Sequence, residues 1–433
     1  MNYQETLEFL YSRLPLFSRI GEAAYRKDLT NTLSLCAFLG NPQHSFKTIH
    51  IAGTNGKGSV SHMLAAILQS AGYKTGLYTS PHLHDFRERI RINGDMIPPE
   101  RVVSFTHQIQ PLLATLDASF FEVTVAMAFE YFSREKVDIA VIETGMGGRL
   151  DSTNVILPEL SVITNIGWDH MQFLGDSLEK IAAEKAGIIK MDTPVVIGQE
   201  QRETRAIFEK QAANKNASIS FATDHWSVQQ VTWEKEFLQI VVKNKDGLAH
   251  YELELLGIYQ QDNLLTVLES ISQLKNIGWK IEDNHIDKGL RSTKKITGLR
   301  GRWDILSRSP LTILDVAHNE DGIHQVLKQL KRISFENLHI VTGMVKDKAI
   351  DQLLELFPRQ ARYYFTNAKL PRALPAAELA AAAQALGLEG DYYSDVNEAI
   401  RAAREAAQPK DLVLICGSIF IAAEVNIDLL ASN

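Results

Sequence analysis

Short, uninterrupted apolar runs recur along this chain, each closing in a polar or glycine-rich turn that opens a longer stretch of helical spacing. Continuous apolar runs suit strands covered on both faces, and the helical stretches between them suit crossover connections. The pattern predicts an α/β fold with a parallel central sheet. In the first part of the chain the strand-like runs fall at 49–52, 75–79, 137–143, 160–166 and 194–198. Helical spacing covers 3–14, 22–39, 60–71, 122–135, 177–189 and 257–274, and Gly40-Asn41-Pro42 stops the second of these.

Other stretches depart from that rhythm. Residues 217–254 alternate apolar and polar, with a turn at Lys245-Asp246-Gly247, and read as a small antiparallel β insertion. Residues 86–97 carry Arg87, Arg89 and Arg91 at every second position, as on one face of a strand, serving either as a solvated face or as an anion contact. The segment 15–21 reads as a helix connector, with part of a substrate pocket as the alternative. Near 294–301 the texture turns to Thr, Lys and Gly, which places a boundary there and gives domains 1–296 and 297–433. Beyond it, strands at 311–316, 338–342, 362–365 and 412–416 alternate with helices at 321–330, 348–356, 376–386 and 395–407, the pattern of a second, smaller α/β sheet.

Composition narrows the function classes. A net charge of -7 with both signs interspersed offers no basic face for nucleic acid or anionic lipid, so small molecules are the expected partners. Cys36 and Cys416 stand far apart in apolar surroundings, as reduced core residues do. No run is long enough to span a membrane and residues 1–10 lack an apolar signal core, so the cytoplasm is the expected compartment and a monomer the expected state.

Candidate chemistry begins at Gly53-Thr54-Asn55-Gly56-Lys57-Gly58-Ser59, between a buried strand and a helix. Small residues let backbone N–H groups converge, and the helix dipole with the Lys57 ammonium favours a polyphosphate. The spacing departs from the usual P-loop formula, with Gly58 between the lysine and Ser59. Glu143 ends a second buried strand, where a P-loop protein positions magnesium. Asp151, in Thr144-Gly145-Met146-Gly147-Gly148-Arg149-Leu150-Asp151, suits either a ligand contact or an Asx-turn cap. His170 and the polar turn at Ser80-Pro81-His82 follow further strand ends, where ligands bind in open α/β sheets.

In combination, Gly53 to Ser59, Thr79-Ser80-Pro81-His82-Leu83, Glu143-Thr144-Gly145 through Asp151, Trp168-Asp169-His170 and Asp315 with Ala317-His318-Asn319 resemble the folylpolyglutamate synthase and dihydrofolate synthase family, relatives of the Mur ligases. The resemblance implies an N-terminal P-loop ATPase domain and a C-terminal Rossmann-like domain. It puts Asn55, Gly56, Lys57, Gly58 and Ser59 around the ATP phosphates, with Asn263, Arg302 and Asp315 as further ATP contacts. It puts magnesium on Ser80, Glu143 and His170, Ser59 being a competing contact, and matches Lys185 to a lysine that is carbamylated and so able to support the metal as well. Phe121, Glu122, Leu150, Asp151 and Ser152 match the region holding the pterin end.

The activity so implied is an ATP-dependent ligase that activates a folate carboxylate as an acyl phosphate and joins it to L-glutamate, with Lys57, Lys185 and His318 as the catalytic set. ATP is a co-substrate, Mg²⁺ the metal, and a monovalent cation an open requirement. Dihydrofolate synthase activity, alone or alongside, is the first alternative. A nucleotide-switch protein is the alternative of a different class, suggested by Asn244-Lys245-Asp246-Gly247, a near miss to a guanine-reading motif.

Overall fold

The computed structural model describes residues 1–16, 21, 28–234, 236–346 and 350–427, so most of the connector at 15–21 and the start of the helix expected at 22–39 lie outside the described residues. The chain forms two compact units. The first, Met1–Leu255 with Tyr259–Leu299, is built on β1 (Lys47–Ala52), β2 (Thr75–Tyr78), β3 (Ile90–Ile92), β4 (Asp95–Met96), β5 (Ile139–Glu143), β6 (Leu160–Ile163), β7 (Val195–Ile197) and β8 (Ile219–Phe221). These form one sheet in the order β4-β3-β2-β5-β1-β6-β7-β8. From β2 to β8 the strands run parallel, while β3 and β4 add an antiparallel edge.

β1 is central, and every residue after Lys47 is buried. One face of the sheet is covered by the helices Lys57–Ser70, Gln260–Asn276 and Asp283–Arg291, through Met63, Leu64, Leu268 and Leu290. The other takes Phe120–Arg134 and Pro99–Leu113, through Val123, Phe129 and Phe105. Phe120–Arg134 starts where it does because the Ser119 hydroxyl accepts from the Glu122 N–H while the Glu122 carboxylate takes the Ser119 N–H.

Three local expectations change. The insertion is β9 (Ser227–Glu234), β10 (Phe237–Asn244) and β11 (Gly247–Leu253), whereas 219–221 is β8 of the main sheet; alternation marks a strand without saying which sheet it joins. Arg87, Arg89 and Arg91 do not share a strand face, because Asp85 and Glu88 form a capping box that winds Phe86–Arg89 into a 3₁₀ turn before β3. The boundary expected at 294–301 runs partly through a helix, Thr293–Thr297, whose buried Thr297 hydroxyl meets His62 Nδ1 at 2.7 Å. No helix among the described residues is long and apolar enough to cross a membrane.

The second unit, Leu256–Ile258 with Arg300–Asn433, holds β12 (Asp304–Arg308), β13 (Leu311–Leu314), β14 (Leu338–Thr342), β15 (Arg362–Thr366), β16 (Gly390–Tyr393) and β17 (Leu412–Cys416). Their order is β12-β13-β17-β14-β15-β16, parallel except for β12. Ile313, Ile340, Tyr363 and Leu414 centre its core. Leu256–Ile258 joins this unit because the Gln329 side chain donates to the Leu256 carbonyl and accepts from the Ile258 N–H. Cys36 and Cys416 are buried free thiols.

Candidate active site

The loops after β1, β5, β2 and β6 emerge at the same, carboxyl edge of the first sheet, on either side of the point where strand order reverses around β1. The loop after β1 turns at Gly53 (φ +151°) and Gly56 (φ +84°). A Cβ at Gly53 would fall 1.9 Å from Thr164 Oγ1 and one at Gly56 2.3 Å from Asn263 Oδ1, so both positions require glycine. Neighbours fix the turn. Asn55 N donates to Asn165 Oδ1 (2.8 Å), the Thr164 hydroxyl donates to the Asn55 carbonyl (2.5 Å), and Thr54 N donates to the Asn165 carbonyl (3.0 Å).

Lys57 opens the helix, and its Nζ donates to the carbonyls of Gly53 (3.1 Å) and Thr54 (3.3 Å). Ser59 is buried, and its hydroxyl accepts from Gln260 Nε2 (3.1 Å), whose Oε1 accepts from Asn263 Nδ2 (2.8 Å). Lys185, on the helix Leu178–Ala186, is 3% exposed and donates to the Gly53 carbonyl at 2.9 Å. Burial, then the charge of Lys57, brings its pKa down to about 7, with Asp169 and Asp151 opposing. It is therefore a buried amine and not the solvated helix lysine that local sequence alone would suggest.

Glu143 closes β5, 4% exposed, with Oε2 accepting the Ser80 N–H at 3.2 Å. His170 sits at the end of the loop after β6 in a left-handed conformation, its N–H on Asp169 Oδ1 and its Nε2 3.8 Å from Asp169 Oδ2. Among the described residues no three His, Cys, Asp or Glu side chains gather as a ready metal cage. Magnesium needs none, because it keeps waters and phosphate oxygens and takes only one or two protein carboxylates, so the buried Glu143 beside Ser80 fits a hard cation.

Asp151 is an Asx cap: Oδ1 accepts from Thr153 N (3.0 Å) and Thr153 Oγ1 (2.5 Å), Oδ2 from Met146 N (2.9 Å). Burial raises its pKa against these bonds. Ser152 begins the 3₁₀ turn that follows, and Leu150 is half-buried. The half-buried Phe121 ring lies on Gly145, where a Cβ would come within 2.5 Å of it. The Glu122 carboxylate is taken up in the helix cap and by Asn31 Nδ2 (3.3 Å), so its position is explained by capping.

Arg302, Asp315 and His318 lie in the second unit and form a local arrangement there. Asp315 follows β13 and accepts from Trp303 N (3.0 Å) and Ala317 N (2.9 Å). His318 Nδ1 is 3.0 Å from the Val316 carbonyl, which assigns the proton to Nδ1. Arg302 Nη1 donates to the Gly301 carbonyl at 3.2 Å. Asn244 accepts from the N–H groups of Asp246 and Gly247, so the near miss to a guanine-reading motif is a hairpin turn. Sequence reasoning misses Gln260, Thr164 and Asn165, which carry no local signal and act only through contacts distant in the chain.

The Mur ligase middle domain model matches residues 51–271, and the Mur ligase, glutamate ligase domain model matches 301–419. The chain is 33% identical to the folylpolyglutamate synthase of Lacticaseibacillus casei across 100% of both chains. It is 32% identical to the dihydrofolate synthase/folylpolyglutamate synthase of Bacillus subtilis across 98% of both. Its fold is similar to that of the Mycobacterium tuberculosis folylpolyglutamate synthase solved with ADP and AMPPCP, with a TM-score of 0.86, 30% identity and 100% of both chains covered.

Proposed function

The chain belongs to the folylpolyglutamate synthase and dihydrofolate synthase family, built from Mur ligase domains, and from that membership we propose how its own residues carry the reaction. It is an ATP-dependent ligase that joins the amino group of L-glutamate to a carboxylate of tetrahydrofolate, with the dihydrofolate synthase reaction, dihydropteroate plus glutamate, as its second activity.

A carboxylate resists attack by an amine because it is already anionic and its oxygen leaves poorly. Transfer of the γ-phosphoryl group makes an acyl phosphate and ADP; the glutamate nitrogen then adds to the carbonyl, and phosphate departs as the amide forms. In our reading the Asn55–Ser59 amides and the Lys57 ammonium hold the phosphates, and Asn263, Arg302 and Asp315 hold the rest of the nucleotide. Glu143, Ser80 and His170 hold magnesium, which when bound neutralises charge on the phosphate oxygens. A deprotonated Lys185 adds CO₂ and releases one proton, giving a carbamate in place of an ammonium. Asp151, with Phe121, Glu122, Leu150 and Ser152, holds the pterin end, and His318 orients the transferring group.

The observation that supports this reading most is the convergence of the Lys57 and Lys185 amines on the Gly53 carbonyl at the start of the helix. Assaying the purified protein with ATP and labelled glutamate, against dihydropteroate and tetrahydrofolate in turn, tests it. ADP release requiring both the acid and glutamate is the expected result. Release that ignores glutamate, or that requires a protein partner, overturns it.

A further inference from the structure

Three arginines enter or follow the 3₁₀ turn Phe86–Arg89, and their fates differ. Arg87 pairs with Asp85 at 2.6 Å, and Arg91 donates to the Gly94 carbonyl at 2.9 Å. Arg89 turns inward and is 7% exposed. Its Nε donates to His82 Nδ1 at 2.7 Å, and its guanidinium carbon stands 5.3 Å from the centre of the Phe120 ring. Among the described residues no carboxylate forms an ion pair with it.

The polar groups nearest it are neutral. Since His82 accepts at Nδ1, the proton of its neutral ring is on Nε2, which faces the Tyr11 hydroxyl at 3.5 Å. The Tyr78 hydroxyl, fully buried at the carboxyl end of β2, stands against the guanidinium, and the Arg89 charge acts on it more strongly than any other. A buried guanidinium held by neutral groups, with no ion pair among the described residues, is an incomplete arrangement: burying a charge is costly unless it is paired and hydrogen-bonded.

Its location indicates the missing partner. The Arg89 carbonyl accepts the Thr79 N–H, next to Ser80, and Glu143 is the carboxylate whose charge reaches the guanidinium. Resting on the ligase reading above, we propose that Arg89, with Tyr78 and His82 beside it, binds the acceptor carboxylate of the folate-side substrate. That carboxylate must approach a triphosphate, an anion approaching anions, and a guanidinium offsets the repulsion while its fork fixes both oxygens. Arg89 is on this account a substrate-binding residue.

The test pairs a change in the protein with a change in the ligand. Dihydropteroate and its neutral carboxamide are titrated into wild type, Arg89→Gln and Arg89→Lys, each checked for folding by circular dichroism. Wild type is expected to prefer the acid by roughly 30-fold or more, and Arg89→Gln to lose that preference while binding nucleotide as before. Arg89→Lys, keeping charge without the fork, should retain part of it. Equal loss for acid and amide would make Arg89 a scaffold residue and overturn the proposal. Should Arg89→Gln not fold, a wild type indifferent to the acid–amide exchange overturns it equally. Glutamate-dependent ADP release by wild type reports on the ligase reading separately.

Discussion

Lys57 and Lys185 donate to one acceptor, the Gly53 carbonyl, at 3.1 and 2.9 Å. Two ammonium groups so close disfavour one another, and Lys185, being buried, is the one that yields its proton, with its pKa near 7. Below that value it is mainly an ammonium and above it mainly a free amine. Only the free amine attacks CO₂, so the carbamate should increase as pH rises through about 7. Native mass spectrometry in bicarbonate, following the added mass of one CO₂ from pH 6 to pH 8, is the measurement. Lys57→Met removes the opposing charge and raises the Lys185 pKa, so less adduct is expected at pH 7.

Gly56→Ala combines a left-handed backbone with a Cβ 2.3 Å from Asn263 Oδ1. The cost expected is about 1–3 kcal/mol of stability, together with weaker nucleotide binding because the loop amides are turned away. Urea unfolding and titration with an ATP analogue read the two effects. An effect on stability without one on nucleotide affinity would remove the loop from the phosphate site.

Gln260 ties Ser59 to Asn263 by its two side-chain ends. Gln260→Leu keeps the volume and leaves buried polar groups unpaired, at about 1–3 kcal/mol. Thermal melts should show the loss, and the KM for ATP should rise while that for the folate substrate stays near its original value.

His50 Nε2 meets Thr153 Oγ1 at 2.8 Å, and that hydroxyl donates to Asp151. The threonine has one proton to give, so His50 must supply the other; burial brings the His50 pKa down to about 3 and holds it neutral. Thr153→Val breaks the chain at its middle and should raise the KM for dihydropteroate more than it lowers kcat. Thr153→Ser should restore the original value.

How much of this is legible in the sequence depends on how local each cause is. The turn from Gly53 to Ser59 can be read directly, because glycine placement, a lysine and an apolar helix are adjacent in the chain. The partners that hold it cannot: Thr164 is 109 positions from Asn55, and Gln260 is 201 from Ser59. In the second unit the buried strands β13, β14, β15 and β17 are apolar and easily found, but β16 is an exposed edge strand, Gly-Asp-Tyr-Tyr, with no such signal. Arg89 was open to misreading in another way. Alternate spacing puts it beside Arg87 and Arg91 on paper, whereas the cap formed by Asp85 and Glu88 rotates it into the core.

The Gln329 clasp on Leu256 and Ile258 makes the second unit discontinuous in the gene. A fragment begun at Arg300 would leave out three residues that its own fold uses, and the Gln329 amide would be left with neither of those backbone groups. Ribosomal synthesis delivers Leu256–Ile258 well before the sheet they join exists, so this unit can complete its packing only after a much later part of the polypeptide has emerged.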